Sequence, residues 1–219
     1  MRLALILFTC ALLGGGLSAQ LLAKSPTKRG QWRQVSKRLR TNTDLQVTFT
    51  QQVLTLRKKI RRMQGEAYFA RDGKFRWLMK EHGKQQVMQA YIYDGKTVVE
   101  HLPQDKVANV WSIGSGQVAE ISRIVQLVKR LDNLERDYQV REAVGKDALL
   151  LTLTPHKTAS ITQIVLRIGN ADSYISYLKI EYRGGRYSEY RFSQPVHKSL
   201  PATHFTFTPP VGTKVMMVN

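Results

Sequence analysis

From Asp44 onward the chain alternates with a period of two, and this limits it to strands joined by short turns. Leu45, Val47, Phe49 and Val53 share one parity, and Gln46, Thr48, Thr50 and Gln52 take the other. Successive side chains of a strand point to opposite faces, so this stretch reads as an antiparallel strand with one face in a core and the other in water. Further strands are expected over 65–70, 75–80, 86–93, 97–102 and 107–113, and again over 137–142, 148–154, 161–168, 173–182 and 187–193. Arg71-Asp72-Gly73-Lys74, Asp94-Gly95-Lys96, Asn170-Ala171-Asp172 and Gly184-Gly185 supply turn chemistry between them. Ten to eleven strands at close spacing form one large antiparallel sheet, long enough to curl.

Two segments break the alternation. Over 31–41, Trp32, Val35 and Leu39 recur at helical spacing, with Arg33, Lys37, Arg38 and Arg40 on the opposite face. A second helix follows Gly114-Ser115-Gly116, and Ile121, Ile124, Val125, Val128 and Leu131 form its apolar stripe. Both helices are expected to cover one face of the sheet. The class is therefore mainly β (α+β), and no shift in composition marks a domain boundary within 20–219.

The first nineteen residues read differently. Met1-Arg2 is a short basic start, residues 3–13 are almost wholly apolar, and small residues follow. This is the layout of a secretory signal peptide, with cleavage expected before Gln20 or after Gly16-Leu17-Ser18. The apolar run is shorter than the roughly 20 residues that a membrane span needs. Cys10, the sole cysteine, lies inside that run, preceded by Leu7-Phe8-Thr9 rather than by the small residues that lipid attachment favours. A mature chain without Cys10 has no thiol, which suits an oxidising exported compartment. A single cysteine also excludes an intramolecular disulfide or a CxxC redox site.

The net charge is +18, and loss of Arg2 with the leader leaves +17. An exported protein this basic is expected to meet anionic lipid or an acidic protein face rather than nucleic acid. The strongest charge run is Arg57-Lys58-Lys59-Ile60-Arg61-Arg62, placed at a hairpin tip; Arg57, Lys58, Lys59, Arg61 and Arg62 are candidates for docking on such a partner or membrane.

Catalytic and cofactor patterns are weak. Gly114-Ser115-Gly116-Gln117-Val118-Ala119 matches GxGxxA, but the flanking strands are hairpin-linked rather than parallel. The five histidines show no metal-ligand spacing, and there is no GxSxG. Asp132 and Glu135 form an acidic pair at a helix end, where such pairs are usually solvated. No enzymatic activity and no cofactor are expected. Instead, Phe49, Phe75, Trp77, Tyr91, Trp111, Tyr190 and Phe192 sit at alternating strand positions. They fill a core, or they line a hydrophobic cavity between a curved sheet and a helical lid.

Four segments in register carry a resemblance: Val47-Thr48-Phe49-Thr50-Gln51-Gln52-Val53; Gly65 through Phe75-Arg76-Trp77; Asp94-Gly95-Lys96-Thr97; and His204-Phe205-Thr206-Phe207-Thr208-Pro209-Pro210-Val211-Gly212. With these the chain resembles the LolA family, periplasmic carriers that shuttle lipoproteins to the outer membrane. The resemblance implies an incomplete antiparallel barrel closed by a helical lid, whose apolar interior receives acyl chains. Ile121, Ile124, Val125 and Val128 would then form the lid's inner face. It implies a monomer loaded by an inner-membrane ABC transporter complex and unloaded at an outer-membrane acceptor. It also implies a latch arginine after the second long strand, which falls on Arg71. Asp72 stands where the family usually has proline, and a pairing of Asp72 with Arg71 would weaken that latch. Alternatives on the same fold are a glycolipid or lipopolysaccharide carrier, a sensor, or a LolB-like acceptor if Cys10 is acylated.

Overall fold

The computed structural model describes residues 30–40, 44–112, 118–129, 131, 133–157, 160–171, 173–193 and 195–218. The leader with Cys10, and the Gly114–Gln117 part of the GxGxxA match, lie outside them. The elements run α1 (Gln31–Arg40), β1 (Leu45–Leu54), β2 (Ile60–Phe69), β3 (Phe75–Glu81), β4 (Val87–Tyr93), β5 (Thr97–Leu102) and β6 (Val107–Ser112). They continue with α2 (Ala119–Lys129), α3 (Leu134–Asp137), β7 (Tyr138–Val144), β8 (Ala148–Pro155), β9 (Ile161–Gly169), β10 (Ile175–Tyr182), β11 (Tyr187–Phe192), β12 (Val196–His197) and β13 (Lys214–Val218).

The thirteen strands form one sheet in the order β13-β6-β5-β4-β3-β2-β1-β11-β10-β9-β8-β7, with β12 beside β1. Its end strands do not pair with each other, so the barrel is incomplete, as expected. The pairing is antiparallel except at one edge, where β13 runs parallel to β6. Neither β12 nor β13 was legible. A two-residue strand has no periodicity, and β13 belongs to the sheet only because the chain returns from the far end of β11.

The basic hairpin differs from the expected layout. β2 begins at Ile60, and Arg61 and Arg62 pair with Val53 and Gln52. The turn is closed by Lys58 N–H donating to Thr55 O and Thr55 N–H donating to Lys59 O, with Lys58 at φ 55°. Strand pairing therefore reaches further toward the tip than charge repulsion suggested, because both strands can present their charges to water.

One glycine is demanded by the packing. A Cβ on Gly65 would lie 1.9 Å from Leu78 O and 2.7 Å from the Phe49 ring. Without it, Phe49 lies across β2 and reaches Trp77, with ring centroids 4.4 Å apart.

The concave face carries the core. On the β8–β11 side, Leu151 pairs with Leu166, Leu166 with Leu178, and Leu178 with Tyr190. The three aliphatic members of this row are completely buried. α2 lies over this face, with Ile121, Ile124, Val125 and Leu127 buried. α1 buries Trp32 and Val35 in the same core. It is tied to the β7 end by Gly30 N–H donating to Glu142 (2.6 Å) and by an Arg33–Glu135 ion pair (2.5 Å). Glu135 is thus paired rather than merely solvated. Leu39, Arg38, Arg40 and Asp132 lie outside the described side chains.

The convex face is crossed by the C-terminal segment. Arg76 donates to His204 O, His204 stacks edge-on to Tyr68 at 4.4 Å, and His101 lies 5.0 Å from Phe207. Phe205 is buried beneath this strap. The segment then pairs as β13, which covers the sheet edge at β6.

Candidate functional site

The interior between the sheet and α2 is the candidate site. A pocket of about 230 Å³ lies beneath the start of α2, walled by Gln51, Trp77, Met79, Tyr91, Tyr190 and Ile121, with Val53, Gln89, Ser188 and Glu120. It shares Val53, Glu120 and Ser188 with a mouth pocket of about 570 Å³. The mouth has apolar walls from Leu54, Leu56, Tyr182 and Tyr187, and its rim is cationic: Arg57, Lys59, Arg61 and Arg186.

Strand register explains why these side chains converge. Trp77 is opposite Tyr91, Tyr91 opposite Glu100, and Glu100 opposite Asn109. Directly opposed residues share a face, so this row runs across the concave side. It is aromatic and polar where the β8–β10 row is aliphatic. Glu100 is buried and accepts from Gln89 Nε2 (2.7 Å), Tyr91 OH (3.2 Å) and Asn109 Nδ2 (3.0 Å). Gln51 Nε2 donates to Tyr190 OH at 2.6 Å. Tyr190 OH also donates to Glu120 Oε1 (3.1 Å), and Tyr182 OH makes a short bond to Glu120 Oε2.

This polar network perturbs the phenols. Burial, reinforced by the Glu120 carboxylate, pushes Tyr190 and Tyr182 well above the ordinary phenol value. Burial and the Glu100 carboxylate do the same to Tyr91. All three stay protonated at neutral pH and act as donors to the carboxylates. Two indole donors, Trp77 Nε1 and Trp111 Nε1, and one acceptor, Gln51 Oε1, have no partner among the described residues.

The seven aromatic candidates are distributed unevenly. Phe49, Trp77, Tyr190 and Phe192 cluster with centroid separations between 4.4 and 6.4 Å. Phe75 is buried against Tyr93. Trp77, Tyr91 and Tyr190 wall the interior pocket, and Trp111 is half-buried at the edge of the same face. Of the lid residues, Ile121 reaches the pocket wall while Ile124 and Val125 are packed in the core. The side chain of Val128 lies outside the described residues.

Arg71 sits in the exposed β2–β3 turn, where its backbone N–H donates to Asp44 Oδ1 at 2.7 Å. No ion pair among the described residues joins it to α2. Asp72 pairs with Lys74 at 2.7 Å. Among the described residues, Glu120 ties α2 to the sheet through the two tyrosines. Arg57, Lys58, Lys59, Arg61 and Arg62 are all exposed, together with Leu56 and Ile60.

Gln51, Glu100 and Glu120 were missed as site residues. Gln51 has the inward parity of Val47 and Phe49, and Glu100 that of Val98, so a polar residue on the apolar parity was the available signal. Glu120 had none, because its partners lie 62 and 70 residues away. No group of three or more His, Cys, Asp or Glu among the described residues could hold a metal ion.

The family model for the outer membrane lipoprotein carrier protein LolA matches residues 40–208. The chain belongs to the LolA family. Among solved structures, it is similar to an uncharacterized conserved protein of Thermus thermophilus, at 12% identity and a TM-score of 0.58, covering 85% of this chain and 99% of that one. A LolA superfamily protein of Nitrosomonas europaea matches at 13% identity and a TM-score of 0.44, over 80% and 97% of the two chains. The MucA/MucB complex of Pseudomonas aeruginosa matches at 15% identity and 0.43, over 81% of this chain and 59% of that one. At 12% identity the first of these likenesses speaks for the fold alone. Comparison with curated proteins finds no significant match. No helix among the described residues of this LolA-family chain is long and apolar enough to cross a membrane.

Proposed function

We propose that this protein is a periplasmic chaperone that binds the acyl chains of lipoproteins beneath α2 and carries them from the inner to the outer membrane. The observation that carries the reading is a helix laid over the open concave face of an unclosed barrel, with an interior pocket that opens into an apolar mouth. Each buried methylene contributes roughly 0.8 kcal/mol, so exposed acyl chains need a container to cross an aqueous compartment. The interior pocket of about 230 Å³ falls below the roughly 300–1,000 Å³ of ordinary ligand sites. Acyl chains too long for it extend into the adjoining mouth of about 570 Å³ or displace α2 from the sheet. A lid held by a few polar contacts, the phenol–carboxylate bonds of Glu120 among them, and by an apolar stripe can be shifted by a modest differential affinity.

The role is binding and transfer rather than catalysis, exerted by a monomer after removal of residues 1–19. Phe49, Phe75, Trp77, Tyr91, Trp111, Tyr190 and Phe192 would line the expanded interior, with Ile121, Ile124, Val125 and Val128 as the lid's inner face. An inner-membrane ABC transporter complex would load it and an outer-membrane acceptor would receive the cargo. The exposed Arg57–Arg62 hairpin suits docking on an acidic partner or an anionic membrane.

The test is a release assay. Spheroplasts carrying a labelled outer-membrane lipoprotein are incubated with the mature protein. Soluble label co-eluting one-to-one with the protein is the expected result, and label left on the membrane with a cognate transporter present overturns the lipoprotein reading. A carrier of another lipid is the second reading, favoured by the polar half of the concave face.

A further inference from the structure

An acyl container has no use for a carboxylate, yet the interior pocket carries one. Glu120 reaches it from α2, and Glu100 lies behind Tyr91 on the same face. Neither forms an ion pair with a basic side chain among the described residues. Glu100 is buried and Glu120 half-buried, and the lowered dielectric around an unpaired carboxylate strengthens its attraction for a cation.

Glu120 and Gln51 together leave acceptor capacity unused. A carboxylate offers about four lone-pair sites, and Glu120 receives two phenol donors. Gln51, only 4% exposed, has an unpartnered Oε1 and lines the same pocket. An ammonium group brings three donors and no acceptor. Trp77, Tyr91 and Tyr190 place aromatic rings around it, the surroundings that favour a cation. Trp77 Nε1–H, fully buried and unpartnered, can donate to an oxygen beside the amine. At roughly 30 Å³ per water-sized group, the 230 Å³ interior holds about seven or eight non-hydrogen atoms, the size of a small polar head rather than of a long tail.

The mouth carries the opposite sign. Arg57, Lys59, Arg61 and Arg186 ring the adjoining pocket that Glu120 also lines. A bare cation would be repelled there, whereas an anionic group next to the amine would be held.

We propose that the interior beneath α2 recognises an ammonium group through Glu120 and Gln51, and that its ligand is a zwitterionic amphiphile whose anionic group sits at the cationic rim and whose tail lies along the apolar mouth. This deepens the container reading and rests on it. Because Glu120 belongs to α2, an ammonium bound there also ties the helix to the sheet.

The test measures binding of three chain-matched probes to the mature protein by intrinsic tryptophan fluorescence and by calorimetry: lysophosphatidylethanolamine, its N-acetyl derivative and lysophosphatidylglycerol. The expected result is at least tenfold tighter binding of lysophosphatidylethanolamine than of the other two, with the difference shrinking to within twofold in Glu120→Gln. Gln51→Met, which keeps both Glu120–tyrosine bonds, should weaken the amine probe alone. Equal binding of all three probes to the parent protein overturns the ammonium site while leaving the container reading in place. Failure of all three to bind overturns both. Persistence of the amine preference in a folded Glu120→Gln variant also overturns it.

Discussion

Ile124→Ala tests whether α2 is a lid. Ile124 is completely buried within the core cluster. The substitution removes three carbons, worth about 2.4 kcal/mol at roughly 0.8 kcal/mol each. Residual cavity raises the total toward the ~2–5 kcal/mol range seen for such truncations. If α2 opens as a unit while the sheet stays folded, the loss falls on the closed–open equilibrium. At 1.4 kcal/mol per tenfold, 2.4 kcal/mol is about 50-fold. Native-state hydrogen exchange then shows α2 amides exchanging about 50-fold faster, and in the parent protein the α2 amides open at a lower free energy than the β8–β10 amides, because local openings carry their own free energies. Equal opening free energies for α2 and β8–β10 in the parent protein would refute the reasoning, since the helix would then be an inseparable part of one core.

Other outcomes follow from the same contacts. Tyr182→Phe removes a hydrogen bond to a carboxylate, worth about 1.5–3 kcal/mol, and should speed α2 exchange at least tenfold; Arg71→Leu should leave it within about twofold, and a tenfold rise would return the latch to Arg71. Burial, with Arg76 nearby, lowers the pKa of both His101 and His204. Histidines kept neutral by the fold give full stability above about 6.5 and lose it as pH falls through their lowered folded values. Limited proteolysis should therefore cut the segment between β12 and β13 faster at pH 5 than at pH 7. Reversing Lys58, Lys59 and Arg61 to Glu should abolish salt-sensitive binding to anionic vesicles and change stability by under about 0.5 kcal/mol, as exposed positions do; vesicle binding that survives reversal removes the hairpin from the docking surface.

The amino-acid sequence by itself determined the strand class, eleven of the strands, both long helices and the family. Alternation, helical spacing and turn residues are local signals, and segments 47–53, 65–77, 94–97 and 204–212 carry the resemblance. The burial of Phe49, Trp77, Tyr190 and Phe192 was readable for the same reason, since parity alone assigns a side chain to a face. Tertiary structure decided the rest. The parallel β13–β6 edge, the strap over His101 and Arg76, and the pairing of Arg33 with Glu135 join residues remote in sequence. The hydrogen bonds from Tyr182 and Tyr190 to Glu120 join α2 to residues 62 and 70 positions away. The division of the concave face into an aliphatic half and a polar half exists only once register places Trp77, Tyr91, Glu100 and Asn109 in one row. Period two says which face a residue takes; only strand pairing says which residues it meets there.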